Sequence, residues 1–127
     1  MKILVVEDQP TELKLAVQVL SAAGFEVDEA VAAHGALAAI EADPPDIILL
    51  DLSLPDVDGL TLARKLKANP ATRGILIVAV TSYPEGFPMH EALAAGCDAY
   101  LPKPVSTRTL PKTLAEVMGN AEGRRPS

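Results

Sequence analysis

Five short apolar runs, each followed by a stretch with helical periodicity, constrain this chain more than any other feature. The runs are Ile3–Val6, Phe25–Asp28, Ile47–Leu50, Ile75–Val80 and Ala99–Leu101. Short, nearly continuous apolar runs suit strands buried on both faces, as parallel strands are. The second run differs: Phe25-Glu26-Val27-Asp28 alternates apolar and acidic residues, the pattern of a half-exposed edge strand. Between the runs, Pro10 suits a first helical turn and Leu13, Val17 and Leu20 recur at helical spacing until Gly24. Further helices are predicted over about His34–Ala42, stopped by Pro44-Pro45, and over about Gly59–Ala68, stopped at Asn69-Pro70. In the third of these helices Leu60, Ala63 and Leu66 should face inward. A fourth is predicted from Pro88 to near Gly96. A fifth follows Ser106, read as its N-cap, and carries Leu110, Leu114 and Val117, with Pro111 awkward near the end of its first turn.

This (βα)5 alternation predicts an α/β fold: an open, doubly wound, five-stranded parallel sheet with right-handed crossovers. Five units are too few for a closed eight-fold barrel. A length of 127 residues suits one domain, expected over residues 1–119, with the tail 120–127 (NAEGRRPS) expected to be disordered. Aromatics are only 3%, so Val, Ile, Leu and Ala must build the core. A net charge of −6 argues against non-specific nucleic-acid or membrane-surface binding. The N-terminal stretch does not read as a signal peptide, and the longest aliphatic run, Ile75–Val80, is too short to span a bilayer. A cytoplasmic setting is the expectation. Cys97 reads as a small core residue, and His34 and His90 as surface or packing residues.

Ligands of open parallel sheets bind beyond the carboxyl ends of the strands. The residues there are Glu7-Asp8 after the first run, Asp51 after the third, Thr81-Ser82 after the fourth and Lys103, between Pro102 and Pro104, after the fifth. Each alone is ordinary: a solvated turn, a cap, a strand-end hydroxyl, a surface lysine. Together they lie at one edge. With strand order 2-1-3-4-5, Glu7, Asp8 and Asp51 form one acidic cluster. Such a cluster calls for a hard divalent cation, and Mg2+ takes one or two carboxylates plus phosphate oxygens. A metal, the Lys103 amine and the Thr81 hydroxyl around one carboxylate can stabilise a transferred phosphoryl group. Asp51 itself can be the nucleophile, forming an aspartyl phosphate.

The blocks KILVVEDQP, IILLDLSLPDVDG, VAVTS and AYLPKPV resemble the receiver domain of two-component response regulators, over residues 2 to about 118. The fold of that family is flavodoxin-like (CheY-like). The resemblance implies that Asp51 accepts a phosphoryl group from a phosphohistidine on a histidine kinase or phosphotransfer protein. It implies that Glu7, Asp8, Asp51 and the backbone carbonyl of Ser53 hold Mg2+, and that Lys103, through a cis bond to Pro104, pairs with the phosphoryl group. Thr81 would be the switch hydroxyl and Tyr100 the switch aromatic, against the plainer reading of Tyr100 as a half-buried strand residue with a wet hydroxyl. Ser53 and Tyr83 would line the route of the hydrolytic water. The signalling surface would be helix four, strand five and helix five.

The implied protein is a phosphoacceptor rather than an enzyme, although it assists its own phosphorylation and dephosphorylation. It reads as a stand-alone receiver, monomeric or weakly dimeric, whose output is binding to a downstream protein or relay of phosphate. Chemotaxis regulators, cell-cycle regulators and relay intermediates share that outline. One departure from the pattern is the stretch SYPEGFPMHEALAAGC after Thr81. Pro84 and Pro88 should delay and shorten helix four. Two other readings compete. A nucleotide-binding α/β enzyme needs glycines after the first strand, which VVEDQPTEL lacks. A pseudo-receiver, binding partners without phosphate, should have no affinity for Mg2+.

Overall fold

The structure, a computed structural model, describes the backbone of residues 1–123 and the side chains of residues 1–120. Strands β1 (Lys2–Val6), β2 (Glu26–Ala30), β3 (Ile47–Asp51), β4 (Leu76–Thr81) and β5 (Ala99–Pro102) alternate with helices α1 (Pro10–Ala22), α2 (Ala33–Ala42), α3 (Gly59–Ala68), α4 (Met89–Ala94) and α5 (Leu110–Gly123). All pairings are parallel, in the order β2-β1-β3-β4-β5. The expected topology is therefore the one observed, with the half-polar strand β2 at an edge.

Strand alternation divides the core in two. Leu4, Val6, Ile48, Leu50, Ile77 and Ala79 point toward α2, α3 and α4, where Ala36, Ile40, Leu60, Ala63, Leu66 and Ala92 meet them. Ile3, Val5, Ile47, Leu49, Val78 and Val80 point to the other face, against Leu13 and Leu20 of α1 and Leu110, Leu114 and Met118 of α5. Because β1, β3 and β4 are apolar on both sides, they can occupy the middle of the sheet. Cys97 is buried, as expected, and burial pushes its thiol up to about 11.

Helix α4 is short and starts directly after Pro88, as the prolines required. Helix α5 starts later than expected. Ser106 does not cap it. Its carbonyl instead accepts the Thr109 and Leu110 amides, closing a turn before the helix begins at Leu110. Pro111 is then the second helical residue, where a missing N–H costs nothing. The helix runs through Gly123, so the expected domain boundary at 119 falls inside it, and residues 124–127 of the expected tail lie outside the described residues. Among the described residues, no helix is long and apolar enough to cross a membrane.

Candidate phosphoryl-acceptor site

The same alternation that builds the core delivers the polar side chains. Glu7 continues Ile3 and Val5, Asp51 continues Ile47 and Leu49, and Lys103 continues Ala99 and Leu101, so all three emerge on the α1/α5 side. Carboxylate oxygens of Glu7, Asp8 and Asp51 all lie within 4.8 Å of one another. Asp51 is 5% exposed and Glu7 7%, so neither carboxylate is freely hydrated.

Burial needs compensation, and Lys103 supplies it. Its Nζ donates to Glu7 Oε1 at 2.8 Å, to Glu12 Oε2 at 2.8 Å and to Asp51 Oδ2 at 3.3 Å. Burial works against the ammonium, but the hydrogen bonds to Glu12 and Glu7 and the charge of Asp51 hold its pKa above the ordinary lysine value. For Glu7 burial wins: it pushes the carboxyl up to about 7, helped by Asp51 and opposed by Lys103 and the Gln9 amide. The second oxygen of Asp51, Oδ1, accepts the Ser53 N–H at 2.9 Å, folding the loop after β3 back over the carboxylate. Glu7, Glu12, Asp51 and Lys103 line one side of a cavity of about 210 Å3 beside α1 and the start of α5, whose walls include Leu15, Val80, Pro104 and Leu110.

The loop after β3 explains the sequence LPDVDG. Asp58 accepts the Thr61 N–H at 2.8 Å and caps α3. Asp56 caps a different helix. Its carboxylate accepts the Ala33 and His34 amides at 3.0 and 2.9 Å, serving α2, whose own N-cap Ala32 has no side chain to do so. These amides hold the Asp56 carboxyl below the usual carboxylate range. Gly59 lets α3 abut β3: a Cβ there would lie 2.6 Å from Leu52 Cα and 2.9 Å from the Asp51 carbonyl oxygen. The loop carrying Ser53 is thus pinned by two helices.

Thr81 and Tyr100 lie on the other side of the sheet, with the α4 layer. Thr81 is fully buried, and its Oγ1 accepts the Tyr83 N–H at 2.9 Å. The Tyr83 carbonyl accepts the Gly86 and Phe87 amides, and the Tyr83 and Phe87 rings meet edge to face at 6.5 Å. The Phe87 carbonyl in turn accepts the Tyr100 hydroxyl at 2.6 Å. A continuous path of bonds therefore links Thr81 to Tyr100 through the proline-rich loop, and the Tyr100 hydroxyl is tied down rather than wet. The Lys103 N–H donates to the Thr81 carbonyl at 2.7 Å, and the Lys103–Pro104 bond is cis. His34 and His90 are exposed.

Sequence reasoning missed Glu12. Pro10 fixes the start of α1 and puts Glu12 in its first turn, but Lys103, 91 residues on, meets it only in the folded sheet.

The profile of the response regulator receiver domain matches residues 3–115. The response regulator PleD of Caulobacter vibrioides is 39% identical over 104 residues, 82% of this chain, but the chain spans only 23% of PleD. The polar-differentiation response regulator DivK of Brucella ovis is 31% identical over 119 residues, 94% of this chain and 97% of DivK. Among solved structures, a CheY-like receiver domain protein from Methanospirillum hungatei superposes with a TM-score of 0.89 at 33% identity, covering 98% of both chains. The chemotaxis response regulator CheY4 of Vibrio cholerae gives 0.83 at 29% identity, over 91% of this chain and 97% of its own. The edge-clustered acids, the strand order and these likenesses agree: this chain belongs to the receiver-domain family of two-component response regulators.

Proposed function

We propose that Asp51 accepts a phosphoryl group from a phosphohistidine of a histidine kinase or phosphotransfer protein, in a Mg2+-dependent reaction, and that the charge so placed resets the α4–β5–α5 surface for a partner. The observation that carries this reading is the lysine ammonium shared by Asp51 and Glu7 at one end of a trio of carboxylates. Three hard oxygen donors from neighbouring strand ends fit a small divalent cation, and Glu7, Asp8, Asp51 and the Ser53 carbonyl are the groups that would hold it. Bound there, Mg2+ would neutralise charge on the equatorial phosphoryl oxygens.

The chain's own residues do the rest. An Asp51 oxygen forms the P–O bond while the P–N bond of the donor breaks, and that electron pair stays on the departing imidazole nitrogen. Oδ1 is occupied by the Ser53 amide, and Oδ2 faces Lys103. The Lys103 ammonium balances the incoming charge. The Thr81 hydroxyl leaves the Tyr83 amide to donate to a phosphoryl oxygen. The loop it held, Tyr83–Phe87, then loosens its grip on the Tyr100 hydroxyl. Pairing a new dianion with an amine and a hydroxyl is enough to bias a two-state surface.

The test is the intact mass after incubation with acetyl phosphate, with and without Mg2+, beside an Asp51→Asn variant. A Mg2+-dependent gain of one phosphoryl group, absent from the variant, is the expected result. No gain, together with no Mg2+-dependent binding of beryllium fluoride, would refute it in favour of a pseudo-receiver.

A further inference from the structure

We infer that Glu12 is a competing counter-ion which sets how readily Lys103 engages the phosphoryl group. The inference rests on Asp51 being the phosphoacceptor. An ammonium has three N–H donors, and here Glu7, Glu12 and Asp51 take all three, Glu12 as closely as Glu7 (2.8 Å) and more closely than Asp51 (3.3 Å). A phosphoryl group on Asp51 therefore finds no unused donor on Lys103. One carboxylate must yield. The Glu7 and Asp51 side chains are 9% and 6% exposed, whereas that of Glu12 is 48% exposed, so Glu12 alone can swing into water without leaving a buried charge unpaired.

Glu12 also adds charge of the wrong sign. It and Asp51 share one nitrogen, so their oxygens are no farther apart than the sum of those two bonds. While it stays, a carboxylate repels the incoming dianion across the cavity they both line. Glu12 acts through Lys103 and touches no reacting atom. It favours the unphosphorylated protein and opposes the phosphorylated one.

The experiment is calorimetric titration of beryllium fluoride with Mg2+ into wild type, Glu12→Gln and Glu12→Asp, at low and high salt, with melting curves of the ligand-free proteins. Glu12→Gln should bind roughly twofold to fivefold tighter, the range expected of a half-exposed ion pair. Glu12→Asp, which keeps the charge, should stay closer to wild type, and the gap should narrow in high salt. Ligand-free Glu12→Gln should melt no higher than wild type, because it has lost a bond to Lys103. A purely structural role would instead weaken folding and binding together. Binding by Glu12→Gln equal to or weaker than wild type overturns the inference, as does an equal gain in both variants. Failure of wild type itself to bind overturns the receiver reading and this inference with it.

Discussion

Glu7 gives a prediction whose sign is not obvious from the cluster's composition. In the metal-free protein its carboxyl is raised from 4.5 to about 7, first by burial and then by Asp51. Between those two values the folded state binds more protons than the unfolded chain, so stability falls as pH rises through the window. This is the reverse of the usual carboxylate, whose pKa falls on folding. The full displacement corresponds to at most about 3 kcal/mol. Water reaching the cavity that Glu7 lines screens part of this, which leaves about 1–2 kcal/mol. Glu7→Gln keeps the shape and removes the titration. Urea denaturation of both proteins in EDTA, from about pH 5 to about pH 8, isolates the effect. The stability of wild type relative to Glu7→Gln should decline by that amount.

Mg2+ supplies the second arm. A cation at the cluster needs Glu7 ionised, so binding must displace its proton. The stabilisation that saturating Mg2+ gives wild type should therefore be larger near pH 8 than near pH 5.5, by roughly 1 kcal/mol or more. A wild-type stability that is level or rising against Glu7→Gln in EDTA would refute the reasoning. It would mean that Lys103 keeps Glu7 ionised throughout.

Gly59→Ala should cost about 1–3 kcal/mol in urea denaturation, because the new Cβ meets backbone atoms of Asp51 and Leu52 that cannot move aside; Mg2+ affinity should fall with it. Asp56→Ala should lower the melting temperature by a few degrees and speed hydrogen exchange at the Ala33 and His34 amides, which lose their acceptor. Tyr100→Phe deletes the bond to the Phe87 carbonyl; it should cost about 0.5–1.5 kcal/mol and raise exchange at Gly86 and Phe87 while leaving phosphorylation of Asp51 intact by mass. Substitutions at Ser53 and Tyr83, both exposed beside the site, should change the lifetime of the aspartyl phosphate without abolishing its formation, measured as the decay of the added mass.

Most of the fold was legible because one signal carried it. Short apolar runs and period-3.6 helices alternate without interruption, so element type and order followed, and the prolines at 84 and 88 placed α4. The start of α5 was misread because a serine before an apolar helix looks like a cap. Here the Ser106 carbonyl, not its hydroxyl, does the work, and one turn intervenes. The site's main residues were legible because each ends a strand. Glu12 and Asp56 were not, because their partners are remote: Glu12 lies 91 residues from Lys103, and Asp56 23 from Ala33. Local pattern says that Glu12 sits in a first helical turn and Asp56 in a loop. Only the packed sheet brings Lys103 to the one and the start of α2 to the other.

Strand parity then separates two kinds of perturbation. Glu7, Asp51 and Lys103 emerge with the α1/α5 core, whereas Thr81 follows Ile77 and Ala79 into the α4 layer that also holds Tyr100. On the proposed function, charge arrives on one side of the sheet and is read on the other. The crossing point is the end of β4, where the Thr81 carbonyl is fixed by the Lys103 amide and its hydroxyl by the Tyr83 amide. The backbone bond anchors Thr81 while the side-chain bond is free to exchange, so the hydroxyl can turn without the strand moving. Changes on the α1 side, Glu12 among them, should therefore alter how fast phosphate comes and goes. Changes along Phe87 and Tyr100 should alter what the phosphate does once it is there, whereas Tyr83, bonded directly to Thr81 and exposed beside the site, bears on both. A variant of Phe87 that changed phosphorylation rate while leaving partner binding untouched would break this division, because Phe87 is joined to Thr81 through the carbonyl and amide of Tyr83.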